Sequence, residues 1–310
     1  MFLGRRPCLE GDLDMKKMNL VSLMDRYDSD EKCVDLLAKL RWPSGVACVR
    51  CGDMAVDRVT RGRGLWMCRS CDHQFSVTAG TIMHRSRLPL RKWFIAIYLM
   101  CQSKKGMSAH QLHRMLGTTY RTAWHLAHRI REAMGNDPFT EPTLVGVVEV
   151  DETMIGGKSS GKNWRDNKHW VAGAIERGGR VRIERIPDSR KGTIHDFVKR
   201  NISPEAEAIY TDELRSHIGL DTDTRRHESV NHAAEEWVVG DVHTNSVEGV
   251  WSLFKRSIVG AFHKMSVKHM DRYLEEMEWR FNNRDNPNIF MDTLRRIVNT
   301  DPLQYRDLVA

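Results

Sequence analysis

Apolar residues recur at helical spacing over residues 18–42: Leu20, Leu23, Met24 and Tyr27, then Cys33, Leu36, Leu37 and Leu40. Pro43 and Gly45 close that segment. Pro89 introduces an apolar helix over Leu90 to Cys101, and two shorter amphipathic helices are predicted after it. Ser108 is placed to cap a helix over 109–116, with Leu112, Met115 and Leu116 inward and Gly117 ending it. Thr118 or Thr119 then caps a helix running to about 134, with Ala123, Trp124, Ala127 and Ile130 inward. Asn136, Asp137, Pro138, Glu141 and Pro142 make a turn-rich hinge. Beyond it strands are predicted at 144–151, 169–176, 181–187 and 207–212, and helices at about 191–201, 244–259 and 266–283. The expected organisation is a disordered extension over 1–17, a helical segment over 18–43 and a cysteine-bearing module over 44–80. A helical region over 88–135, an α/β domain over 144–290 and a tail over 291–310 complete it.

With 41% hydrophobic and 29% charged residues, the chain has the composition of a globular protein. Its longest apolar run, Trp93 to Cys101, falls short of the roughly 20 residues a bilayer requires. Residues 1–17 lack the apolar core of a signal peptide. The expectation is a cytoplasmic, nucleoid-associated protein without a membrane partner. The net charge of +7 is unevenly spread, because Arg58 to Met134 holds 14 Lys/Arg against two acids and the remainder is net acidic. Each basic side chain that neutralises a phosphate releases condensed counterions, so such a block predicts a polyanionic partner, here DNA.

Cys48-x2-Cys51 and Cys68-x2-Cys71, with 16 residues between the pairs, have the spacing of a four-thiolate zinc site. Two intervening residues let a tight turn aim both sulfurs at one Zn²⁺. Arg50 and Arg69, inside the knuckles, are expected to offset the excess thiolate charge, and Gly52, Gly62 and Gly64 supply turns. Cys8, Cys33 and Cys101 fall outside the pattern and read as apolar fillers.

The two helices after Ser108 have the lengths of a helix-turn-helix, which also fits an ordinary hairpin with a basic face. The surrounding basic block favours DNA. Tyr120, Arg121, Thr122, His125 and His128 are then expected outward on the recognition helix, with Arg121, Thr122, His125 and Arg129 as candidate DNA contacts.

Asp151 ends one predicted strand and Asp212 another, and buried carboxylates at strand ends call for a cation. Glu248 follows in the helical stretch TNSVEGVWSLFKRS, where Asn245, Glu248, Ser252 and Lys255 form one polar stripe. Strand–strand–helix delivery of Asp, Asp and Glu is the arrangement of an RNase H-like α/β fold, a mixed sheet with flanking helices. In it two Mg²⁺ ions, with Mn²⁺ able to substitute, promote phosphodiester chemistry. Lys255 and Arg256 are the candidate phosphate contacts of this cleft.

The stretches RWPSGVACVRCG (41–52), CRSCDHQFSVTAGTIMHRSRLPLRKW (68–93), TAWHLAHRIREAM (122–134), VDETMIGGK (150–158) and HTNSVEGVWSLFKRSIVGAFHKMSVKHMDRYLEEMEWRFNNR (243–284) together resemble the zinc-ribbon insertion-sequence transposases of the fifteen-ninety-five group. The resemblance runs from about residue 18 to the 280s. It implies a DDE-type enzyme that cuts and joins DNA at terminal inverted repeats and target sites, as a homo-oligomer on the DNA. It also implies that Asp151 and Asp212 are metal ligands. For the third ligand the group uses either Glu or Asn, and this chain offers both Glu248 and Asn245; a carboxylate offsets more of the charge of two dications. His227, Asn231 and His232 are implied to line the site, with Arg280 and Asn282 near it. Val49 stands where the group's first knuckle carries Pro. The alternative is a non-catalytic DNA-binding regulator built from the ribbon and the helix-turn-helix.

Overall fold

The computed structural model describes residues 18–59, 64–135, 142–156, 168–212, 214–222, 224–230, 240–263 and 265–310. The extension over 1–17, Cys8, Gly62, hinge residues 136–141, Lys158, Asn231 and His232 lie outside the described residues. Two compact units emerge: Met1–Leu99 with Asp285–Pro302, and Met100–Arg284 with Leu303–Ala310.

In the first unit the predicted 18–42 helix is two helices, α1 (Leu20–Arg26) and α2 (Asp30–Arg41). Asn19 caps α1 through the Ser22 N–H, and Ser29 caps α2 through the Lys32 N–H, so the chain restarts at Ser29 instead of continuing. Strands β1 (Val56–Arg58), β2 (Leu65–Cys68) and β3 (Gln74–Ser76) form an antiparallel ribbon. Its apolar content is small: Trp66 stacks on Phe75, and Trp42 meets both edge-on. Helix α3 (Leu90–Gln102) starts in this unit and buries Trp93, Phe94 and Ile97.

Residues read as a tail include a core helix. Ile289–Asn299 is helical and buries Phe290, Met291, Leu294, Ile297 and Val298. It packs on α2, and Phe290 lies edge-on to Phe94 with ring centroids 5.8 Å apart. These apolar positions form a helical stripe that continues past the boundary drawn at 290.

The second unit opens with α4 (Ala109–Leu116) and α5 (Tyr120–Met134), capped by Ser108 and Thr119, with Gly117 in the left-handed conformation between them. Five strands follow: β4 (Val147–Ile155), β5 (His169–Glu176), β6 (Val181–Ile186), β7 (Ala208–Asp212) and β8 (Arg226–Val230). Their order is β6-β5-β4-β7-β8. β5 is antiparallel to both of its neighbours, β6 and β4, and β7 and β8 run parallel to β4. β8, with the polar sequence RHESV at the sheet edge, carries no apolar alternation and was not predicted.

Helix α6 (Lys191–Asn201) covers one face of this sheet, packing Ile194 and Phe197 on Val148, Val150, Ala172 and Ala174. Helices α7 (Asn245–Ser257) and α8 (Met270–Asn282) cover the other, bringing Val250, Trp251, Phe254, Leu274 and Met277 onto Val171, Ile175 and Ile183. Helix α9 is the segment Ile289–Asn299, and α10 is Tyr305–Val309. Among the described residues no helix is long and apolar enough to cross a membrane.

The predicted outward face of α5 is exposed over its first turn, at Tyr120, Arg121 and Thr122, and covered further along. α5 packs on α8, where Arg131 and Glu276, both buried, pair at 2.6 Å. His128 is buried against Trp124, His269 and Tyr273. The side chains of His125 and Arg129 both reach the Leu303 carbonyl, at 3.2 and 3.1 Å. Arg121 and Thr122 remain exposed, and Arg121 lies over the Tyr305 ring. Met115, expected inward, is half exposed. Basic residues on an amphipathic helix predict a solvated face, but for Arg129 and Arg131 a carbonyl and a buried acid distant in sequence supply partners.

Candidate active site

Alternation along β4 sends Val148 and Val150 to the α6 face and leaves Glu149 and Asp151 on the α7 face. Asp151 is in the middle of β4 instead of at its end, because the strand runs on to Ile155 in a ladder with β5. Glu149 pairs with Tyr210 of the parallel neighbour β7. Carrying that register two residues forward on both strands brings Asp151 beside Asp212. Burial, then the charges of Asp212 and Glu152, push the Asp151 carboxyl up to about 7.

Two residues of β4 hold α7 in place. Glu149 is fully buried and accepts hydrogen bonds from the Ser246 N–H at 2.7 Å, the Val247 N–H at 3.1 Å and the Ser246 hydroxyl at 2.9 Å. It thus caps the helix from a different element, and Arg177 pairs with it at 3.0 Å. One turn and a half along, the Trp251 Nε1–H donates to Asp151 at 2.8 Å. The indole lies against Gly173, the β5 residue opposite Asp151, where a Cβ would sit 2.6 Å from the ring. Glu149→Ala is expected to destabilise the second unit by about 3–5 kcal/mol, because Arg177 and two helix-end N–H groups lose their acceptor. Denaturant unfolding measures this; a loss under about 1 kcal/mol would remove Glu149 from this role.

A cavity of about 780 Å³ opens beside Asp151, lined also by Thr153, Glu248, Ser252, Lys255, Arg256 and Lys105. Glu248 is exposed, and its carboxylate accepts from the Thr244 hydroxyl at 3.3 Å. Asn245, the first residue of α7, is exposed but does not line this cavity among the described residues. Behind Asp212, a buried His217 bridges two acids: its Nδ1 is 2.9 Å from Asp212 and its Nε2 is 2.9 Å from Glu152. Burial opposes its charge, but the two carboxylates more than reverse this and hold His217 up at about 10. Asp212 is therefore fixed by an imidazolium.

The residues implied by resemblance are placed as follows. His227, on β8, lies 2.9 Å from the Thr211 hydroxyl behind β7, and burial lowers its pKa. Asn282 hydrogen-bonds both backbone groups of Val181 and so clamps β6 to α8. Arg280 is buried and donates to the carbonyls of Ser103 and Lys104, at 2.8 Å each. Glu149, Glu152, His217, Trp251 and Lys105 were not predicted as site residues. Glu149 had a signal, since an acid two residues before Asp151 shares its face; the others act from segments whose pairing no spacing reveals.

In the first unit, Cys48, Cys51, Cys68 and Cys71 bring their four Sγ atoms within 4.8 Å of one another. Cys48 and Cys71 are 3.7 Å apart, and Cys51 and Cys68 are 3.6 Å apart. A tetrahedral ion with Zn–S bonds of about 2.3 Å needs sulfurs about 3.8 Å apart, so the cluster has the dimensions of zinc. Arg69 does not serve the sulfurs, since it pairs with Asp57 of β1. Cys33 and Cys101 are buried fillers, as their positions predicted.

A four-thiolate ribbon followed by a mixed sheet that carries clustered carboxylates defines a zinc-ribbon protein with an acidic-cleft α/β domain. Residues 28–74 match the transposase zinc-ribbon domain, and residues 143–282 match the ISXO2-like transposase domain. A protein in transposable element ISH50 of Halobacterium salinarum is 30% identical over 251 residues, covering 74% of this chain and 83% of that relative. A transposase-like protein of Haemophilus influenzae is 28% identical over 100 residues, covering 32% of this chain and 79% of that relative. The chain belongs to the zinc-ribbon insertion-sequence transposases of the fifteen-ninety-five group.

Proposed function

We propose that this transposase binds the terminal inverted repeats of its insertion sequence, cuts the DNA there and joins the freed ends to target DNA. The observation that carries the reading is that Asp151 lies beside Asp212 on an adjacent parallel strand and lines, together with Glu248 of α7, a cavity that also holds Lys255 and Arg256. The sheet supports an RNase H-like assignment: three antiparallel strands, then two parallel ones, with the first acid on the central strand and the second on its parallel neighbour.

The three carboxylates would hold Mg²⁺, or Mn²⁺ in its place. A buried Asp151 pushed upward by adjacent acids is the environment a dication relieves. When bound, the metal supplies a more acidic nucleophile and charge neutralisation at the leaving oxygen. In the first reaction water attacks phosphorus and the P–O bond to the 3′ oxygen breaks, leaving a 3′-hydroxyl. In the second that hydroxyl forms a new bond to a target phosphorus while the target's own P–O3′ bond breaks. One phosphodiester replaces another, so no nucleotide hydrolysis is required. His217 holds Asp212, Trp251 holds Asp151 and the Glu149 cap holds the helix of Glu248, so the acids are set before substrate arrives. Lys255 and Arg256 take backbone phosphates. Arg121 and Thr122 are the exposed α5 residues that remain candidates for DNA, and two ends held together imply a homo-oligomer.

The test is cleavage of an end-bearing duplex by the purified full chain with Mg²⁺ and with chelator. Tight binding with no cutting under any divalent cation would favour the regulator reading. The same assay assigns the third ligand. Because Glu248 lines the cavity, Glu248→Gln should cut more than about a hundredfold slower, the loss of roughly 3 kcal/mol of transition-state stabilisation. Asn245→Ala should stay within a few fold of wild type. The opposite ranking would make Asn245 the third ligand.

A further inference from the structure

The cavity beside Asp151 is not built by the residues of the transposase domain alone. Lys105 lines it with Glu248, Lys255 and Arg256, yet it lies in the loop joining α3 to α4, outside the matched span 143–282. Its side chain is exposed, and among the described residues it makes no ion pair.

The backbone around it is held on both sides by buried charge. Arg280 donates to the Ser103 and Lys104 carbonyls, at 2.8 Å each, and Arg131 donates to the Met107 carbonyl at 3.3 Å. Both arginines pair with Glu276, at 3.3 and 2.6 Å. Gly106, at φ +77°, sits so close to Phe262 that a Cβ would come within 2.5 Å of the ring. Burying three charged side chains costs several kcal/mol per ion before pairing, and here the two arginines direct hydrogen bonds to three residues flanking Lys105, namely Ser103, Lys104 and Met107. The result is a fixed pedestal under one exposed cation. An unpaired ammonium beside clustered carboxylates and two further cations is suited to an anion that approaches those acids, and the anion that must approach them is a phosphodiester.

Resting on the transposase reading, we infer that Lys105 binds a backbone phosphate of the DNA strand next to the bond being cut, and that Arg280 acts as the positioning residue for it. This gives Arg280 a role without placing it among the reacting atoms.

The experiment uses the full chain and a duplex ending in the element's terminal repeat, with Lys105→Ala, Lys105→Arg and Lys199→Ala. Lys199 is exposed on α6, on the opposite face of the sheet, and serves as the control. Lys105→Ala should cut at least tenfold slower at subsaturating DNA, and the slope of log binding constant against log salt should flatten by about 0.9, one phosphate's worth. Lys105→Arg should recover to within about threefold, and Lys199→Ala should match wild type. Wild-type cutting and an unchanged slope in Lys105→Ala overturn the inference while leaving the proposed function intact. A flatter slope with wild-type cutting also overturns it, because the contact would then lie away from the scissile bond. If the wild-type chain binds but never cuts, the catalytic reading fails instead. The salt slope of Lys105→Ala then decides alone: flattening keeps the phosphate contact, and no change removes it.

Discussion

Replacing Asp151 or Asp212 with alanine is expected to abolish Mg²⁺-dependent cutting and joining while leaving DNA binding within a few fold of wild type. Each change removes a carboxylate from a site built around two neighbouring acids and one helix-borne acid. A loss of about 4 kcal/mol in transition-state stabilisation corresponds to about a thousandfold in rate. Binding survives because affinity for a polyanion comes from cations, and Arg58 to Met134 carries 14 of them against two acids. Removing an acid near bound DNA takes away repulsion, so affinity measured in chelator should hold or rise. In Asp151→Ala the lost activity is not expected to arise from unfolding. Asp151 is already pushed upward by burial and by Asp212 and Glu152, so its deletion relieves a crowded site at the cost of one hydrogen bond from Trp251. Gel-shift titration beside a cleavage time course checks both halves. Residual cutting above about a tenth of wild type in either variant would exclude that carboxylate from the metal site.

One zinc per chain is the second expectation, with its removal collapsing the ribbon. Three short strands and the cluster of Trp42, Trp66 and Phe75 bury too little surface to fold a module of this size unaided. Zinc held by four thiolates contributes on the order of 10 kcal/mol or more to such modules, so metal binding and folding are one equilibrium. Cys48→Ser or Cys68→Ser should yield protein with no zinc by elemental analysis. The tryptophan emission of Trp42 and Trp66 should shift red as their rings become wet. Wild-type protein purified without metal, with reduced thiols and unshifted emission, would defeat the zinc assignment.

Legibility in the sequence followed the range of each interaction. The cysteine knuckles, the caps at Ser108 and Thr119 and the strand 169–176 are local, set by spacing or by one residue and its near neighbours. Those features match the structure closely. α5 shows the limit. Its amphipathic period located the helix, but the acid that pairs with Arg131 and the carbonyl that receives Arg129 lie beyond residue 270 in the chain, so the helix is covered past its exposed first turn. The α7 stripe of Glu248, Ser252 and Lys255 was readable because a helix face is a local property. That Trp251 on the neighbouring face reaches Asp151 was not readable, because it depends on Gly173 making room on another strand. The polar edge strand β8 and the helix over Ile289–Asn299 failed for opposite reasons. One lacks any apolar period, and the other has a clear one beyond a boundary drawn too early.

The packing of α5 on α8 bears on how this chain can be dissected. A fragment trimmed to the matched span would begin at residue 143 and discard Arg131 while keeping Glu276. That carboxylate would be left buried with Arg280, at 3.3 Å, as its remaining ion-pair partner, and the latter would lose the Ser103 and Lys104 carbonyls at the same stroke. The face of α8 that packs on α5 would be stripped as well, inviting self-association in place of activity. Excision points, fusion junctions and chimaeras with other transposases therefore belong upstream of Met100, in the chain that leads into this unit. The homology boundary and the physical boundary of the enzyme are different residues.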